Sequence, residues 1–222
     1  MIEEKNIITQ KTARYYTCGT LNKNTKQIWF ICHGYGQNAL NMIKKFQQLT
    51  FDNHYIVAPE ALSRFYWKGF GGKPVASWMT SADRQHEIDD YVFYLNKLYQ
   101  LITKNVPLID VEVNVLGFSQ GTATASRWVV QGNVPCKRLI LWAGAIAHDL
   151  NWLETTNVLQ HKELYWVYGD QDPFISNTQI DAAKKRMYDK KIKGSWIKFE
   201  GKHEIHQATL LTLGKQFLKN NG

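Results

Sequence analysis

The chain has 222 residues, of which 44% are hydrophobic and 21% charged, so it is long enough for one domain built around a large buried sheet. Its net charge of +8 is interpreted as a solvated basic helix face, with weak attraction to anionic lipid or acidic partners as the alternative. No recognition motif accompanies this charge, which argues against nucleic-acid binding, and no apolar run approaches the roughly 20 residues that span a bilayer.

Six short apolar runs predict β-strands: Gln27–Cys32, Tyr55–Ala58, Val111–Gly117, Lys137–Trp142, Leu164–Tyr168 and Ser195–Phe199. Their apolar residues are continuous rather than alternating, which is typical of strands buried on both faces of a parallel sheet. Ahead of them, Ile7–Thr9 and Arg14–Cys18 are expected to form an antiparallel edge.

Longer amphipathic stretches between these runs predict helices: Asn38–Thr50, Ser81–Thr103, Gln120–Gln131, Ser176–Lys190 and His203–Lys219. Ser81, with Asp83 nearby, and Ser176 are predicted to mark helix starts. The alternation of strands and helices predicts a single α/β domain over residues 1–222. Its central sheet should be mostly parallel, with helices on both faces.

The sequence Gly117-Phe118-Ser119-Gln120-Gly121 stands where a buried strand ends and a helix begins. A nucleophile elbow needs this arrangement, because the serine occupies a strained turn and small residues on either side let strand and helix approach closely. Ser119 is therefore the candidate nucleophile, and a plain turn serine is the alternative.

A nucleophilic serine needs a histidine base, and the base needs an orienting acid. On this kind of sheet the acid follows the serine in the chain and comes after a strand. Asp172 is the preferred candidate, because Pro173 fixes the turn that holds its carboxylate. Asp170 and Asp149 are the alternatives.

The base must follow the acid in the chain, which leaves His203 and His206. His203 comes soon after a predicted strand, where the other members would meet, and is the preferred base. His206 lies one helical turn later. The sequence His-Glu-Ile-His at 203–206 does not have the His-Glu-x-x-His spacing of a zinc site, so no metal is expected.

An oxyanion hole is predicted in the loop His33-Gly34-Tyr35-Gly36-Gln37, directly after the first strong strand. Its glycines allow the backbone to turn an amide toward a developing negative charge. The donors would be the amides of Tyr35 and Gln120. His33 is expected to pack beneath the loop without transferring a proton.

Taken together, these motifs resemble the phospholipase/carboxylesterase group of α/β-hydrolases, which includes acyl-protein thioesterases. The resemblance extends from Ile28 to the carboxyl terminus and includes Ser77-Trp78 before a long predicted helix. It implies an α/β-hydrolase fold without a large lid, needing no cofactor or metal. It also implies the triad Ser119, Asp172 and His203, with oxyanion amides at Tyr35 and Gln120.

Two departures from the family pattern lie near the expected acyl pocket. Met79 and Thr80 follow Trp78 where the family often has an aromatic residue and an acid, and Thr122 stands where many members have glycine. These differences leave the chemistry standing but do not allow the family's substrates to be carried over.

The segment Ser63–Trp78 is predicted to be the wall of the substrate pocket, because it is long, contains glycines and is rich in aromatic residues. The alternative is that its aromatic side chains only pack on the sheet. The proposed pocket residues are Phe65, Tyr66, Trp67, Phe70 and Trp78.

The expected function is hydrolysis of a small-molecule carboxylic ester or thioester through an acyl-enzyme intermediate. Lysophospholipase action, another use of the same triad, and a catalytically silent binding module are the alternatives. The odd number of cysteines, without paired spacing, predicts reduced thiols. With an amino terminus that lacks a signal pattern, this indicates a cytoplasmic protein. The oligomeric state is not indicated.

Overall fold

The computed structural model describes residues 1–107 and 109–219, and a seven-stranded sheet runs through its centre. The strands, including a separate pair, are β1 (Tyr15–Cys18), β2 (Gln27–Cys32), β3 (His54–Pro59), β4 (Ser63–Tyr66), β5 (Pro74–Ser77), β6 (Glu112–Phe118), β7 (Arg138–Trp142), β8 (Glu163–Gly169) and β9 (Ser195–Phe199). In the sheet they lie in the order β1-β3-β2-β6-β7-β8-β9. β1 pairs antiparallel with β3, and the other neighbours are parallel.

The helices are α1 (Ala39–Lys44), α2 (Arg84–Thr103), α3 (Gln120–Gln131), α4 (Trp152–Leu159), α5 (Asn177–Asp189) and α6 (Gln207–Lys219), with a 3-10 helix at Gln47–Asp52. α1 and α6 pack with one face of the sheet, whereas α2, α3, α4 and α5 pack with the other. The prediction of a mostly parallel sheet with helices on both faces is confirmed.

The central strand β2 shows why these runs are continuously apolar. Ile28 and Phe30 belong to the core on the α2–α3 face, and Trp29 and Ile31 belong to the core on the α1–α6 face. All of these side chains are fully buried. A strand covered on both faces has no solvent side on which polar residues could alternate.

Several predicted boundaries differ from the structure. Ile7–Thr9 forms no strand, whereas the predicted edge strand at Arg14–Cys18 is present as β1. The predicted helix Asn38–Thr50 is divided into α1 and the 3-10 helix. The predicted helix His203–Lys219 begins only at Gln207, which leaves His203 in a loop.

The two predicted helix starts had different outcomes. Ser176 is the N-cap of α5 and forms a capping box with Gln179, as its position suggested. Ser81 is not a cap: α2 begins at Arg84, and its N-cap Asp83 forms no side-chain capping hydrogen bond.

The predicted pocket wall Ser63–Trp78 is largely a β-hairpin. β4 and β5 pair antiparallel outside the main sheet, and residues 67–73 form the turn between them. Gly69 and Gly71 have φ values of 90° and 87°, which glycine adopts without steric cost. The hairpin therefore has a defined shape and is not an irregular loop.

Candidate active site

Ser119 lies in a strained turn at the centre of the sheet's carboxyl edge. It joins β6 to α3 with φ 54° and ψ −119°, a conformation that costs a non-glycine residue roughly 1–3 kcal/mol. Its amide donates to the Trp142 carbonyl at 2.9 Å, and its carbonyl accepts from Thr122 Oγ1 at 2.7 Å. These bonds hold the backbone of the turn while the side chain stays partly exposed.

The glycines on either side of Ser119 are required by packing. A Cβ on Gly117 would lie 2.1 Å from the Gly121 carbonyl oxygen, and one on Gly121 would lie 2.3 Å from the Cys32 carbonyl oxygen. Backbone atoms cannot move aside as a flexible side chain can. Both positions therefore accept only glycine at this strand–helix crossing.

Asp172 and His203 follow β8 and β9 and are hydrogen-bonded to each other. His203 Nδ1 lies 2.7 Å from Asp172 Oδ2, and the aspartate side chain is fully buried. Asp172 Oδ1 accepts from the Phe174 amide at 2.8 Å, so both carboxylate oxygens have partners. Since a carboxylate can only accept, Nδ1 carries the proton and Nε2 of a neutral ring is an acceptor.

Two aromatic rings hold the His203 imidazole. Phe118, the residue before Ser119, lies 4.9 Å from it between ring centroids, and Phe174 lies 4.8 Å from it at an interplanar angle of 73°. The contact with Phe118 brings His203 to the Ser119 turn. Phe174 is 70% exposed, so its free side faces solvent next to the histidine.

The alternative acids are occupied elsewhere. Asp170 Oδ1 accepts from the Gly201 amide at 3.1 Å. Asp149 accepts from Arg127 and Arg84 at 2.8 and 2.7 Å. Although burial acts in the opposite direction, the hydrogen bonds from these arginines lower the pKa of Asp149 to about 2. The structure thus brings His203 to Asp172 and not to either alternative.

The alternative base, His206, contacts residues other than the candidate acids. Its Nδ1 lies 2.9 Å from Thr209 Oγ1, and its ring stacks on Phe199 at 5.0 Å and 4°. These contacts hold the His206 ring directly before α6 and indicate a structural role.

The loop after β2 lies against the Ser119 turn. A Cβ on Gly34 would be 3.2 Å from Ser119 Cβ, and Gly36 has φ 67°. Within the described residues the Tyr35 amide makes no hydrogen bond, and Gln120 is the first residue of α3, where amides lack helical partners. Both amides predicted as oxyanion donors are therefore available.

The loop at residues 33–37, which we call the oxyanion loop after its predicted role, is fixed on one side by the hairpin. Gly36 donates to the Ala76 carbonyl at 3.1 Å, and Ala76 donates to the Gln37 carbonyl at 2.7 Å. β5 thereby continues the backbone pairing onto the loop. This bridge joins residues far apart in sequence and was not predicted.

Beneath the same loop, His33 is fully buried. Its Nε2 accepts from the Ala61 amide at 3.1 Å. Burial lowers its pKa, although the Gly34 carbonyl and Glu60 oppose the shift. A neutral ring in this position supports the loop.

The prediction that Trp78 lines the substrate pocket is wrong. Trp78 is only 2% exposed and belongs to the core. Its indole Nε1 donates to the His33 carbonyl at 2.8 Å, and its ring packs on Tyr91. The aromatic-core alternative is therefore right for this residue.

The other predicted pocket residues lie on or next to the hairpin with different exposure. Phe65 and Trp67 contact the Tyr35 ring at 5.6 and 5.9 Å between centroids. Tyr66 is 54% exposed, and Phe70, in the turn, is fully exposed. Phe65 and Trp67 therefore place aromatic surface against the Tyr35 side chain.

Sequence reasoning missed two contributions to the site. The Gln120 side chain accepts from the Trp78 amide and donates to Ser77 Oγ and the Met79 carbonyl, each at 3.2 Å, which ties the Ser119 turn to the segment after β5. The contact of Phe174 with His203 was also not predicted. An aromatic residue two positions after the candidate acid was the available signal.

The described side chains, those of residues 1–50, 53–107 and 109–219, include no group of three or more His, Cys, Asp and Glu placed to hold a metal ion. In the same residues, every helix is too short or too polar to cross a bilayer.

Comparisons with known proteins agree with this architecture. The sequence profile of the Phospholipase/Carboxylesterase family matches residues 20–221. Among solved structures, acyl-protein thioesterase 2 from Zea mays is 19% identical with a TM-score of 0.69, covering 95% of this chain and all (100%) of that one. Esterase PE8 is 19% identical with a TM-score of 0.71, covering 96% of this chain and 100% of its own.

A carboxylesterase from Bacillus cereus is 11% identical with a TM-score of 0.66, covering 93% of this chain and 94% of that one. No curated protein matches the sequence significantly. At these identities the solved structures establish the α/β-hydrolase fold.

Proposed function

The chain belongs to the phospholipase/carboxylesterase family, and on this basis we propose that it is a serine hydrolase of carboxylic esters or thioesters. Ser119 is the proposed nucleophile, His203 the base and Asp172 the orienting acid. The observation that carries the proposal is the hydrogen bond between His203 Nδ1 and the buried Asp172 carboxylate, at 2.7 Å, beside the strained Ser119 turn.

The proposed reaction uses each of these groups once per half-cycle. Ser119 Oγ attacks the carbonyl carbon of the substrate while its proton passes to His203 Nε2. The imidazolium then gives this proton to the departing alcohol or thiol, and an acyl-enzyme is formed. Water activated by Nε2 releases the acid, and Asp172 keeps the ring in the required tautomer throughout.

The negative charge on the carbonyl oxygen is proposed to be stabilised by the amides of Tyr35 and Gln120. Two observations support this assignment: the Tyr35 amide makes no hydrogen bond within the described residues, and the Gln120 amide belongs to the first residue of α3. Helix amino termini favour negative charge. Loss of one such donor typically costs about 3–4 kcal/mol of barrier.

The acyl group is proposed to contact the hairpin aromatics Phe65, Tyr66 and Trp67. Trp67 is 42% exposed and contacts the Tyr35 ring, so it offers apolar surface there, and Tyr66 is 54% exposed. Each buried methylene contributes at most about 0.8 kcal/mol, so a few methylenes can change kcat/KM by one or two orders of magnitude. This gain ends once the apolar surface is covered, and we therefore propose a preference for short-to-medium acyl chains.

A fluorophosphonate probe and a panel of p-nitrophenyl esters of graded length test this function together. The probe should label wild type at Ser119 only, and Ser119→Ala should keep its melting temperature and lose nearly all esterase activity. Trp67→Ala should flatten the chain-length profile while acetate turnover stays within about twofold. Labelling at another residue, or an active Ser119→Ala variant, would remove Ser119 from the mechanism.

Thioesters and lysolipids included in the same panel identify the leaving group. The cytoplasm is the proposed location, since Cys18, Cys32 and Cys136 are all free thiols. Basic residues of α5 support a weak attraction to anionic lipid, although Lys185 is paired with Asp189.

A further inference from the structure

An open cleft of about 540 Å³ lies between the β4–β5 hairpin and α1. Its volume is within the range of small-molecule sites. Gly36 and Gln37 line it, but Ser119 and His203, which the structure also describes, do not. The cleft therefore adjoins the proposed oxyanion loop and is distinct from the proposed reaction centre.

Three lysines give this cleft its charge. Lys45 follows α1, Lys68 lies in the hairpin turn and Lys73 precedes β5; we call the site the lysine cleft. Among the described side chains (residues 1–50, 53–107 and 109–219), no aspartate or glutamate lines it and no carboxylate forms a salt bridge with any of the three lysines. By contrast, Lys185 is paired with Asp189. Like charges around one concavity create a potential that attracts an anion.

The remaining wall of the lysine cleft is partly apolar. Trp67, Met42 and Val75 line it, and Trp67 is 42% exposed whereas Met42 and Val75 are buried. A fully hydrated inorganic ion would leave this apolar surface unused. The composition fits an anionic group that is attached to a short apolar chain.

The cleft and the oxyanion loop share one wall. A Cβ on Gly36 would lie only 2.5 Å from the Trp67 ring, so the indole rests directly on the loop backbone. A Cβ on Gly34 would be 3.2 Å from Ser119 Cβ. Gly34 and Gly36 are two residues apart in the chain, so the distance between them is at most about 7 Å. A molecule of modest length can therefore reach from the cleft to the proposed nucleophile.

We propose that the lysine cleft binds a carboxylate or phosphate group carried on a short apolar chain. If this anion is part of the ester substrate, the inference rests on the proposed function and makes the enzyme selective for anionic esters. A free anion of the same chemistry is the other source, and the experiment separates the two.

The first arm compares two esters that differ only in terminal charge, p-nitrophenyl hexanoate and mono-p-nitrophenyl adipate. The test variant is the triple Lys45→Gln/Lys68→Gln/Lys73→Gln, and the matched control is Lys193→Gln, an exposed lysine in the loop after α5. Each exposed ion pair contributes a factor of roughly 1.5–5. The KM of the adipate ester should rise about 10-fold in the triple variant, while that of the hexanoate ester changes less than about twofold.

The second arm measures binding without turnover. Adipate, hexanoate and inorganic phosphate are titrated calorimetrically into wild type, the triple variant and Lys193→Gln. Binding that is lost only in the triple variant, with equal KM for both esters, assigns the cleft to a free anion. Because this arm needs no ester cleavage, it tests the cleft even if the proposed hydrolase function fails.

Two outcomes would overturn the proposal. One is equal KM for both esters in wild type together with no heat of binding for any of the three anions. The other is an equal loss in Lys193→Gln and in the triple variant, which would assign the effect to net charge. A lower melting temperature of the triple variant is checked first by calorimetry, and single Lys73→Gln then replaces it.

Discussion

Replacement of Asp172 by asparagine tests the proposed catalytic arrangement most sharply, because the structure dictates how the amide would sit. Asp172 Oδ1 accepts from the Phe174 amide at 2.8 Å, and this donor requires an oxygen. In Asp172→Asn the amide oxygen stays at Phe174, so the NH₂ group faces His203 Nδ1. The imidazole must then accept at Nδ1 and carry its proton on Nε2, where it cannot remove the Ser119 proton.

The expected loss is in turnover and not in binding. In an established Ser-His-Asp triad the wrong tautomer lowers kcat by roughly 10⁴, which corresponds to about 5.4 kcal/mol of barrier, and the proposed triad should lose as much. KM for a short p-nitrophenyl ester should change by less than about threefold, because the Asp172 side chain is fully buried and is not expected to contact the substrate. The fold should persist, since the Phe174 hydrogen bond is kept.

The assay is steady-state hydrolysis of p-nitrophenyl butyrate, with the melting temperature of each variant as the check on folding. Asp170→Asn is the matched control, because Asp170 lies two residues away and its carboxylate accepts from the backbone amide of Gly201. Its kcat should remain within about threefold of wild type. If Asp172→Asn stays within tenfold of wild type, or if Asp170→Asn is the more damaged variant, the orienting role does not belong to Asp172.

Three further predictions concern the surroundings of the site. His203→Ala should lower kcat by at least three orders of magnitude. His206→Ala should keep kcat within about fivefold of wild type, because the His206 ring is hydrogen-bonded to Thr209. A reversed ranking would move the base to His206. Gly121→Ala should cost about 2 kcal/mol, read calorimetrically as a melting temperature about 4–8 °C lower, and an unchanged value would contradict the backbone clash. Asp149 has a folded pKa of about 2, below its ordinary value, so the stability it contributes is present above pH ~4 and lost as pH falls toward 2. Asp149→Asn should therefore melt lower at pH 7 and show a flatter acid limb, and parallel pH profiles would refute this.

The parts of the fold that were predictable are those with strong local signals. β2 has the predicted bounds because a strand buried on both faces is a continuous apolar run. β9 also has its predicted bounds, although it is an edge strand in which Ser195 and Lys198 are exposed. The start of α3 was predictable for a related reason: the elbow needs glycines at fixed positions, and backbone atoms fill the space where their Cβ atoms would be. Both requirements can be recognised from a short stretch of sequence.

What the sequence did not reveal depends on contacts between distant segments. α4 has eight residues, and Leu153 within it is 75% exposed, so no clear apolar face marks it as a helix. The hairpin strands β4 and β5 have four residues each, and their pairing with the oxyanion loop joins Gln37 to Ala76. The burial of Trp78 under that loop follows from the same fold-level contact.

The order of strands in the sheet has a kinetic consequence. β2, which precedes the oxyanion loop, pairs with β3 and with β6, whose register joins Gln27 to Glu112 across a long loop of chain. Ser119, Asp172 and His203 follow three different strands, β6, β8 and β9, so none of these pairings alone assembles them. Long-range parallel pairing forms slowly. The strained Ser119 backbone in turn depends on contacts with other segments, such as the hydrogen bond from its amide to the Trp142 carbonyl. In a refolding experiment, esterase activity should consequently return after most helical circular dichroism has recovered, so that enzyme activity reports the final step of assembly.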